Sequence, residues 1–583
     1  MRNFKKEIAA AAAALPEIAA AGLTAEDMEA LVEVPADSAL GDYAFPCFRL
    51  AKAFRKSPQQ IAAELAEGGA LAAASDAIGR VEAVNAYVNF FLRREAVVLD
   101  AVCSAVAAGA SFGRSETGAG RKVVVEFSSP NIAKPFHIGH IRSTVIGNSI
   151  DHIYRHLGYD TVRVNHLGDY GTQFGKMIVA YRRWGDRAAV EGEPIKTLLS
   201  YYTRFHEEAE GDPSLEDEAR EVFAKLEQGS EEELALWQWF REESLKEFGR
   251  VYDMLGIAFD SYAGESFYSD KMQRIVDELK GRGLLEASDG AQIVDLSAQD
   301  MPPALIQKKD GSTLYITRDL AAAVYRKEHY GFYKNLYIVA SQQNLHFRQL
   351  IGMLGLLGYD WAEDCVHIPF GLVSLEDGTM STREGRVVFL EDVLRGAVER
   401  TRQIVVEKGV NTDDIDGIAR QVGIGAVIFN ELSAGRIKDY VFSWDKVLTF
   451  DGETGPYVQY VYARAASVLR KAQALGDADP AEALSAGAVP EAGFIMGDAA
   501  FALAKLIHAF PDSVLAAGEK YEPSIVARHI VDTAQAFNRF YHDETVLVED
   551  AAERAAKLAL VCAAKETIAV GLGLLGMEAP ERM

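Results

Sequence analysis

Cysteine is scarce in this sequence. Only four occur in 583 residues, at Cys47, Cys103, Cys365 and Cys562, and none forms a C-x-x-C pair. Disulfide frameworks and structural zinc sites both depend on closely spaced thiols. The sequence therefore argues against either of them and favours a reducing compartment.

Long apolar runs are missing as well. No stretch approaches the roughly 18 consecutive apolar residues that indicate a membrane-spanning helix. The alanine-rich N-terminus is interrupted by Pro16 and Glu17, which makes it too weakly apolar for a signal peptide. We expect a cytoplasmic protein with no membrane contact.

Positive charge is in short supply. There are 60 Lys and Arg against 85 Asp and Glu, a formal net charge of −25, whereas affinity for a nucleic acid backbone comes from Lys and Arg. The imbalance is uneven, because residues 207–250 hold fifteen acidic and five basic residues, a net −10. We interpret this segment as a solvated helical surface that faces away from any RNA, so the total charge does not exclude an RNA partner.

The composition is otherwise that of a folded protein. Hydrophobic residues make up 49% of the chain and charged residues 25%, which is ordinary for globular proteins. A length of 583 residues predicts three or four domains.

The stretch from Glu126 to Arg142 reads E-F-S-S-P-N-I-A-K-P-F-H-I-G-H-I-R. The run that starts at Arg121 is short, apolar and bounded by charges, which predicts a buried strand, and Ile141–His156 keeps apolar residues at helical spacing. The stretch is thus a strand, a turn and the start of a helix. In an open parallel sheet this is where ligands bind, with phosphate groups able to reach the N–H groups of the helix.

His137 and His140 are three residues apart and share a helical face, with Gly139 between them leaving room for a flat group. Together with Lys134 and the helix N-terminus, the two imidazoles can stabilise charge on a polyphosphate. A zinc pair on a helix and two solvated histidines are the alternatives. Zinc needs further ligands, and no Cys or Glu stands at ligand spacing nearby.

The longer string S-S-P-N-I-A-K-P-F-H-I-G-H-I-R-S-T resembles the signature of class I aminoacyl-tRNA synthetases in the form used by the arginyl-tRNA synthetase family. Further stretches resemble the same family, and the resemblance runs from about Pro35 to Met583. The signature positions are Asn131, Ile132, Ala133, Lys134, Pro135, Phe136, His137, Ile138, Gly139, His140 and Ile141.

The resemblance implies a multidomain α/β fold. We expect a small α+β N-terminal domain at 1–116 that binds the tRNA elbow, and a Rossmann-type parallel-sheet catalytic domain at 117–395 with a helical insertion at about 181–256. A helical connecting region at 396–454 and an all-α anticodon-binding domain at 455–583 should follow.

The reaction that the resemblance implies joins arginine to tRNA. ATP and L-arginine give arginyl-adenylate and pyrophosphate, and a ribose hydroxyl at the tRNA 3′ end then takes the arginyl group. His137, His140 and Lys134 are the implied catalytic residues. Mg²⁺ should accompany ATP, with no metal site of the protein's own, and tRNA should be bound before activation proceeds. We expect a monomer.

Two further stretches carry the expected arginine pocket. The stretch from Leu314, L-Y-I-T-R-D, predicts a helix start, and Leu336–Gln343 a strand end. A planar guanidinium needs carboxylates and neutral acceptors around it. As an alternative, Asp319 could be the N-cap of this helix, with the adjacent Arg318 as its partner. The family's arginine-binding positions correspond to Glu126, Asn131, His137, Tyr315, Asp319 and Gln343.

Residues 375–388 resemble the second ATP-binding loop, which in most class I synthetases reads Lys-Met-Ser-Lys-Ser. Thr379 stands at the first lysine position here, and Arg383 follows Thr382. The loop has thus lost a charge that favours the departing pyrophosphate, and Lys134 could reach the phosphates instead. The expected ATP-binding residues are His137, Gly139, His140, Met380, Ser381 and Arg383.

The N-terminal region offers candidate tRNA contacts. Pro58–Glu67 has the pattern of an amphipathic helix and Val81–Leu92 alternates like a strand. On that strand, Tyr87 and Asn89 match the family's elbow-binding positions, where an aromatic ring stacks on an unpaired base and an amide reads its edge. The alternative is that Tyr87 and Phe91 pack the core of the domain.

The C-terminal region beyond Val388 should be almost wholly helical. Tyr457, Tyr460 and Tyr462 cannot all share one helical face, so at least one should be exposed. We expect Tyr460 and the terminal Met583 to contact the anticodon.

Two other functions fit parts of the sequence. A small-molecule nucleotidyl transferase shares H-x-G-H but has no use for the large N-terminal and C-terminal regions. A non-catalytic RNA-binding paralogue would keep those regions and lose residues of the crevice, whereas the candidate residues named above are all present.

Overall fold

The computed structural model describes residues 1–309, 315–375, 388–409, 414–443 and 452–583. The described chain divides into two units. The first consists of Met1–Gly113, Arg464–Pro511 and Asp532–Ile568, and the second of Arg114–Ala463, Asp512–Val531 and Ala569–Met583.

The N-terminal part of the first unit is a three-stranded antiparallel sheet with short helices. Its helices are α1 (Phe4–Ala13), α2 (Pro16–Ala20), α3 (Ala25–Leu31), α4 (Ala51–Phe54), α5 (Pro58–Glu67), α6 (Ala70–Ala73) and α7 (Arg94–Ala108). Its strands are β1 (Tyr43–Pro46), β2 (Ile78–Val84) and β3 (Tyr87–Leu92), in the order β1-β3-β2. Fully buried apolar side chains of the helices and the sheet, among them Ile8, Phe45, Ile61 and Phe90, form one core.

Two sequence expectations in this region have different outcomes. The helix predicted at Pro58–Glu67 has those bounds, because Ser57 and Gln60 form a capping box and Pro58 occupies the first turn. The single strand predicted at Val81–Leu92 is wrong. Asn85 adopts a left-handed φ of 56°, which turns the chain back and makes β2 and β3 a hairpin.

The second unit is built on a four-stranded parallel sheet. Its first elements are β4 (Lys122–Glu126), α8 (Ile141–His156), β5 (Asp160–Val164), α9 (Thr172–Trp184), α10 (Arg187–Gly192), α11 (Pro194–Gly211), α12 (Ser214–Glu227), α13 (Glu231–Leu255) and α14 (Met272–Gly281). Then come β6 (Glu286–Ser288), β7 (Ala291–Val294), β8 (Ala304–Gln307), α15 (Tyr315–Tyr330), β9 (Lys334–Ala340), α16 (Asn344–Leu356), β10 (Cys365–Phe370) and β11 (Val373–Leu375).

The parallel sheet has the strand order β10-β9-β4-β5. Glu126, the last residue of β4, is in register with Tyr337 of β9 and Val164 of β5. The carboxyl ends of these three strands therefore meet at one edge. A separate antiparallel sheet of β6, β7 and β8 stands outside it.

The elements after β11 are helical with one exception. They are α17 (Leu390–Glu407), α18 (Ile415–Leu432), β12 (Tyr440–Phe442), α19 (Gly455–Ala474), α20 (Pro480–Ser485), α21 (Asp498–Lys520), α22 (Ser524–Asp543) and α23 (Ala551–Leu574). The exception, β12, pairs in parallel with β11. The prediction of a nearly all-helical C-terminal region is thus confirmed for the residues that the structure describes.

Helix α21 is long and apolar enough to cross a membrane by length and composition alone. Its apolar side chains are used inside the protein, since Leu503, Ile507, Phe510 and Val514 are fully buried. The helix also carries Lys505.

Candidate active site

The loop between β4 and α8 holds the signature residues in a bent conformation. Ser128, Ser129 and Ala133 all have left-handed φ values, of 69°, 49° and 56°. Such values are uncommon in residues other than glycine, and they persist where surrounding contacts hold the backbone. Helix α13 of the insertion supplies two of these contacts, through Ser244 and Tyr252.

Ser244 Oγ accepts a hydrogen bond of 2.9 Å from the N–H of Ala133. Tyr252 contributes to a longer chain of hydrogen bonds. Its hydroxyl accepts from Asn165 Nδ2 at 2.9 Å and lies 2.9 Å from Ser128 Oγ. Ser128 Oγ is in turn 2.9 Å from Thr144 Oγ1, which donates to the carbonyl of His140 at 2.8 Å. The insertion is therefore bonded to the backbone of the histidine motif.

His137 and His140 stand together at the start of α8. Their ring centroids are 4.0 Å apart. The Nδ1 atom of His137 accepts from the N–H of Gly139 at 3.1 Å, and that of His140 faces the N–H of His137 at 3.2 Å. Burial lowers the pKa of His137 to about 4 and that of His140 to about 3. Both rings are neutral at pH 7. Because Nδ1 of His137 is an acceptor, its proton is on Nε2, and His140 offers an Nε2–H in the tautomer whose Nδ1 accepts from the N–H of His137.

The histidine motif is paired with the last residue of the predicted second ATP-binding loop and with the residues just after it. The N–H of Ile138 donates to the carbonyl of Val388 at 3.0 Å, and the N–H of Leu390 donates to the carbonyl of Phe136 at 2.9 Å. The predicted ATP-binding residues Met380, Ser381 and Arg383 lie outside the described residues, as does Thr379. The described chain resumes at Val388, against the motif.

Two other signature residues, Asn131 and Lys134, lie on the loop between β4 and α8. Asn131 is exposed and pairs with Gly168, where a Cβ would lie 2.1 Å from Asn131 Oδ1. This close approach explains the glycine. Lys134 is half-buried, with its Nζ 5.8 Å from the centroid of the Tyr202 ring on α11.

Glu126 ends β4 and is buried at 6% exposure. Its Oε2 lies 2.5 Å from Nη1 of Arg326, which is fully buried on α15. The Arg326 guanidinium also faces the rings of Tyr268 and Tyr337, at 5.9 and 5.7 Å from their centroids. A buried arginine of this kind needs its carboxylate partner. Glu126 therefore has a structural role whatever ligand it also meets.

Asp319 lies in the second turn of α15. His346 Nε2, on the first turn of α16, is 2.6 Å from Asp319 Oδ2, and His166 Nε2 is 3.9 Å from Oδ1. Burial acts to raise the pKa of Asp319, but the hydrogen bond from His346 lowers it below its usual value on balance. The carboxylate is thus held ionised between two imidazoles.

The structural alternative for Asp319 is wrong. Asp319 is the fifth residue of α15 and not its cap. Arg318 pairs with Glu265 instead, with Nη1 3.2 Å from Oε2, and its guanidinium lies 4.6 Å from the centroid of the Tyr170 ring. Burial raises the pKa of Glu265 to about 7 despite the attraction of Arg318.

The remaining predicted pocket residues are open to solvent. Tyr315, the first residue of α15, is 63% exposed. Gln343 is exposed in the short 3-10 turn that joins β9 to α16. His346 follows the same turn, so the side chains of Gln343 and His346 both come from the carboxyl end of β9.

Sequence reasoning missed three residues of this crevice: Glu265, Arg326 and His346. Each acts by pairing with a residue distant in the chain, so local spacing gave no signal. His346 lies in the stretch S-Q-Q-N-L-H-F only three residues after Gln343, and a polar residue just past a strand end was the clue available.

The candidate elbow contacts lie on β3 in the first unit. Tyr87 is half-buried and stands edge-on to Phe48, which is 57% exposed. Asn89 is buried, and its Nδ2 has no hydrogen-bond partner among the described residues. The core is filled by Val88 and Phe90 from the opposite face of the strand, while Tyr87 and Phe91 lie outside it. The alternative that Tyr87 and Phe91 pack this core is therefore wrong.

The candidate anticodon contacts are near the C-terminus. Tyr460 is 42% exposed and Tyr462 is buried, which confirms that the tyrosines of α19 do not share one environment. Met583 is half-buried and packs against Val405, Ile418 and Val422.

Comparison with protein families covers almost the whole chain. The family described as tRNA synthetases class I (R), catalytic domain, matches residues 101–444. The DALR anticodon binding domain matches residues 458–583, and the arginyl tRNA synthetase N terminal domain matches residues 2–92.

Individual proteins agree with these matches. The arginine–tRNA ligase of Clostridioides difficile is 55% identical over 571 residues, 96% of this chain and 97% of its own. That of Halothermothrix orenii is 52% identical, again over 96% of this chain and 97% of its own. The solved arginyl-tRNA synthetase of Thermus thermophilus superposes with a TM-score of 0.77 at 26% identity, covering 95% of this chain and 96% of that one. On this evidence the chain belongs to the arginyl-tRNA synthetase family of class I aminoacyl-tRNA synthetases.

Proposed function

We propose that the crevice at the carboxyl edge of the parallel sheet activates L-arginine with ATP and then transfers it to the 3′ end of its cognate tRNA. Family membership makes the chain an ATP-dependent arginine–tRNA ligase. The assignment of roles to residues is the proposal. One observation carries it: Asp319 is bonded to His346, which follows β9, and faces His166, which follows β5. The arginine-reading carboxylate thus lies over the strand ends beside β4 and the histidine motif.

The activation step needs no covalent enzyme intermediate. The arginine carboxylate is itself the nucleophile, so the protein has to hold it in line with the α-phosphate and offset the charge that develops there. His137 and His140 are neutral donors at the start of α8 and are the residues assigned to this charge. Lys134 supplies the positive charge that Thr379 does not.

ATP is the substrate, and we assign its contacts to His137, Gly139 and His140 together with Met380, Ser381 and Arg383. Mg²⁺ would arrive with ATP and neutralise phosphate charge. Among the described residues no group of three or more His, Cys, Asp or Glu is placed to hold a metal. We assign its ligands to phosphate oxygens and water, which Mg²⁺ prefers when it binds with a nucleotide.

For arginine, we assign the guanidinium to Asp319, Tyr315 and Gln343, and the α-amino and carboxylate end to Glu126, Asn131 and His137. Asp319 supports this assignment because it is ionised and has an oxygen not bonded to His346. Lysine and citrulline leave pocket groups unpaired in such a site, which can cost ~10⁴-fold or more in kcat/KM.

The tRNA contacts assigned are Tyr87 and Asn89 at the elbow, and Tyr460 and Met583 at the anticodon. We assign the domain bounds as 1–116, 117–395, 396–454 and 455–583.

We further propose that tRNA must bind before activation, and that the protein is a cytoplasmic monomer without membrane contact.

The direct test is attachment of labelled arginine to unfractionated tRNA in the presence of ATP and Mg²⁺. Acid-precipitable label should appear with arginine and not with lysine, and mild alkali should release it, because the product is an ester. The Asp319→Asn variant should attach little arginine at concentrations that saturate the wild type, because its KM for arginine is raised. Absence of product from folded wild-type protein would favour a non-catalytic RNA-binding role.

A further inference from the structure

The imidazole of His346 lies beside the arginine-reading carboxylate at the start of a packed helix. It lies on the first turn of α16, next to Phe347, and the two rings meet edge to face at 5.4 Å. Phe347 is buried and stacks on His367 at 4.4 Å, while His367 Nε2 lies 2.9 Å from the carbonyl of Val339. The start of α16, which carries His346, is therefore packed against β9 and β10.

The hydrogen bond from His346 fixes only one side of Asp319. It reaches Oδ2 at 2.6 Å, whereas among the described residues the nearest charged partner of Oδ1 is His166 at 3.9 Å. Arg318, the adjacent cation, is paired with Glu265. Within the described part of the chain, the side-chain hydrogen bond of Asp319 is therefore to an imidazole and not to an arginine, and the carboxylate keeps acceptor capacity for a ligand.

We propose that His346 is a positioning residue for arginine specificity: it fixes the plane of the Asp319 carboxylate so that Oδ1, and the remaining lone pair of Oδ2, meet the planar guanidinium of the substrate. This inference rests on the arginine site of the proposed function. A carboxylate accepts a guanidinium well only in a coplanar, two-point geometry, and the benefit is lost when the acceptor rotates freely.

The inference predicts a loss of substrate affinity and not of chemistry. In arginine-dependent exchange of pyrophosphate into ATP, with saturating tRNA, His346→Ala should raise the KM for arginine about 10- to 100-fold. Its kcat should stay within about threefold of wild type, because His346 does not touch the reacting atoms. The exposed His542, which lies beside Asp543, provides a matched control, and His542→Ala should change neither parameter.

Two conservative variants separate positioning from general packing. Glutamine places an N–H close to the position of Nε2, so His346→Gln should restore most of the affinity. Asparagine is one carbon shorter, so His346→Asn should behave like the alanine variant. Equal KM values for the glutamine and asparagine variants would overturn the inference, as would an unchanged KM in His346→Ala.

A double-variant cycle tests whether His346 acts through Asp319. If it does, the variant carrying both Asp319→Asn and His346→Ala should have the KM of Asp319→Asn alone within about threefold. Multiplied losses would contradict the inference. An unchanged arginine KM in Asp319→Asn alone would instead contradict the arginine site of the proposed function, which distinguishes the two failures.

Discussion

Tyr252 of α13 and Ser128 of the signature loop share a hydrogen bond of 2.9 Å across 124 positions of the chain. The bond joins a helix of the acidic insertion to a chain of hydroxyl groups that ends on the backbone of His140. The sequence predicts the insertion as a solvated surface. Its helix α13 also holds the active-site loop in place through hydrogen bonds from buried side chains.

Removing this hydroxyl should loosen the histidine motif. Tyr252→Phe leaves the Asn165 Nδ2 and Ser128 groups with one partner fewer in a buried position, at a cost of about 1–3 kcal/mol. We expect a lower urea midpoint and about tenfold slower arginine-dependent exchange. Tyr541→Phe, at a tyrosine that is 39% exposed, is the control. Exchange at the wild-type rate in Tyr252→Phe would mean that the loop holds its shape without α13.

Lys134 tests the compensation for the missing loop lysine. Lys134→Ala should slow adenylate formation by about 10- to 100-fold, because one positive charge near the leaving pyrophosphate is lost. The KM for arginine should change little, and Lys134→Arg should recover part of the rate. Single-turnover adenylate formation is the measurement. An equal loss in arginine binding would indicate a structural role through the contact with Tyr202.

Glu126 pairs with Arg326 and is also assigned to the α-amino group of the substrate arginine. Variants can separate these two roles. Glu126→Gln leaves Arg326 buried without a counter-charge, which should cost about 3–5 kcal/mol. In the double variant with Arg326→Met, stability should largely return. Arginine affinity should stay low if Glu126 also holds the α-amino group. Recovery of both thermal stability and arginine KM in the double variant would remove Glu126 from the ligand site.

Glu431 on α18 predicts a pH dependence of stability. Its carboxylate is fully buried, 3.6 Å from Arg142 Nε, and burial raises its pKa to about 8 despite that attraction. In the unfolded chain a glutamate releases its proton near pH 4.3. Between these values the folded state holds a proton that the unfolded state does not, so stability falls as pH rises from about 4.5 to 8.

The variant Glu431→Gln removes this group's titration. Its urea midpoint, relative to wild type, should therefore be higher at pH 8.5 than at pH 5.5. The exposed Glu286 is the control position, and Glu286→Gln should give the same relative midpoint at both pH values. A Glu431→Gln midpoint that tracks wild type across the range would show that the carboxylate stays ionised beside Arg142.

The elements that could be predicted from sequence are those with local signals. Helix α5 has its capping box and proline, and α8 has sustained apolar periodicity, so both have the predicted bounds. The hairpin of β2 and β3 could not be distinguished from one long strand, because Asn85 turns the chain without the glycine that usually marks such a turn.

In the site, too, only the residues with local sequence signals could be predicted. The histidine motif was located from a contiguous string, and Asp319 from its place in a second string. Their partners Arg326, His346 and Tyr252 come from other elements, so only the packed structure reveals that Glu126 is paired, that Asp319 is oriented and that the signature loop is buttressed. Through-space pairing leaves no trace in the spacing of residues.

The most direct test of the whole account is exchange of labelled pyrophosphate into ATP, measured with arginine or lysine, with and without tRNA. The account predicts exchange with arginine only, dependent on tRNA, and a loss of about 100-fold or more in His137→Ala or His140→Ala, since each removes a donor to developing phosphate charge. Full exchange in both histidine variants, or equal exchange with lysine, would contradict the assignment of this crevice as the arginine-activating site.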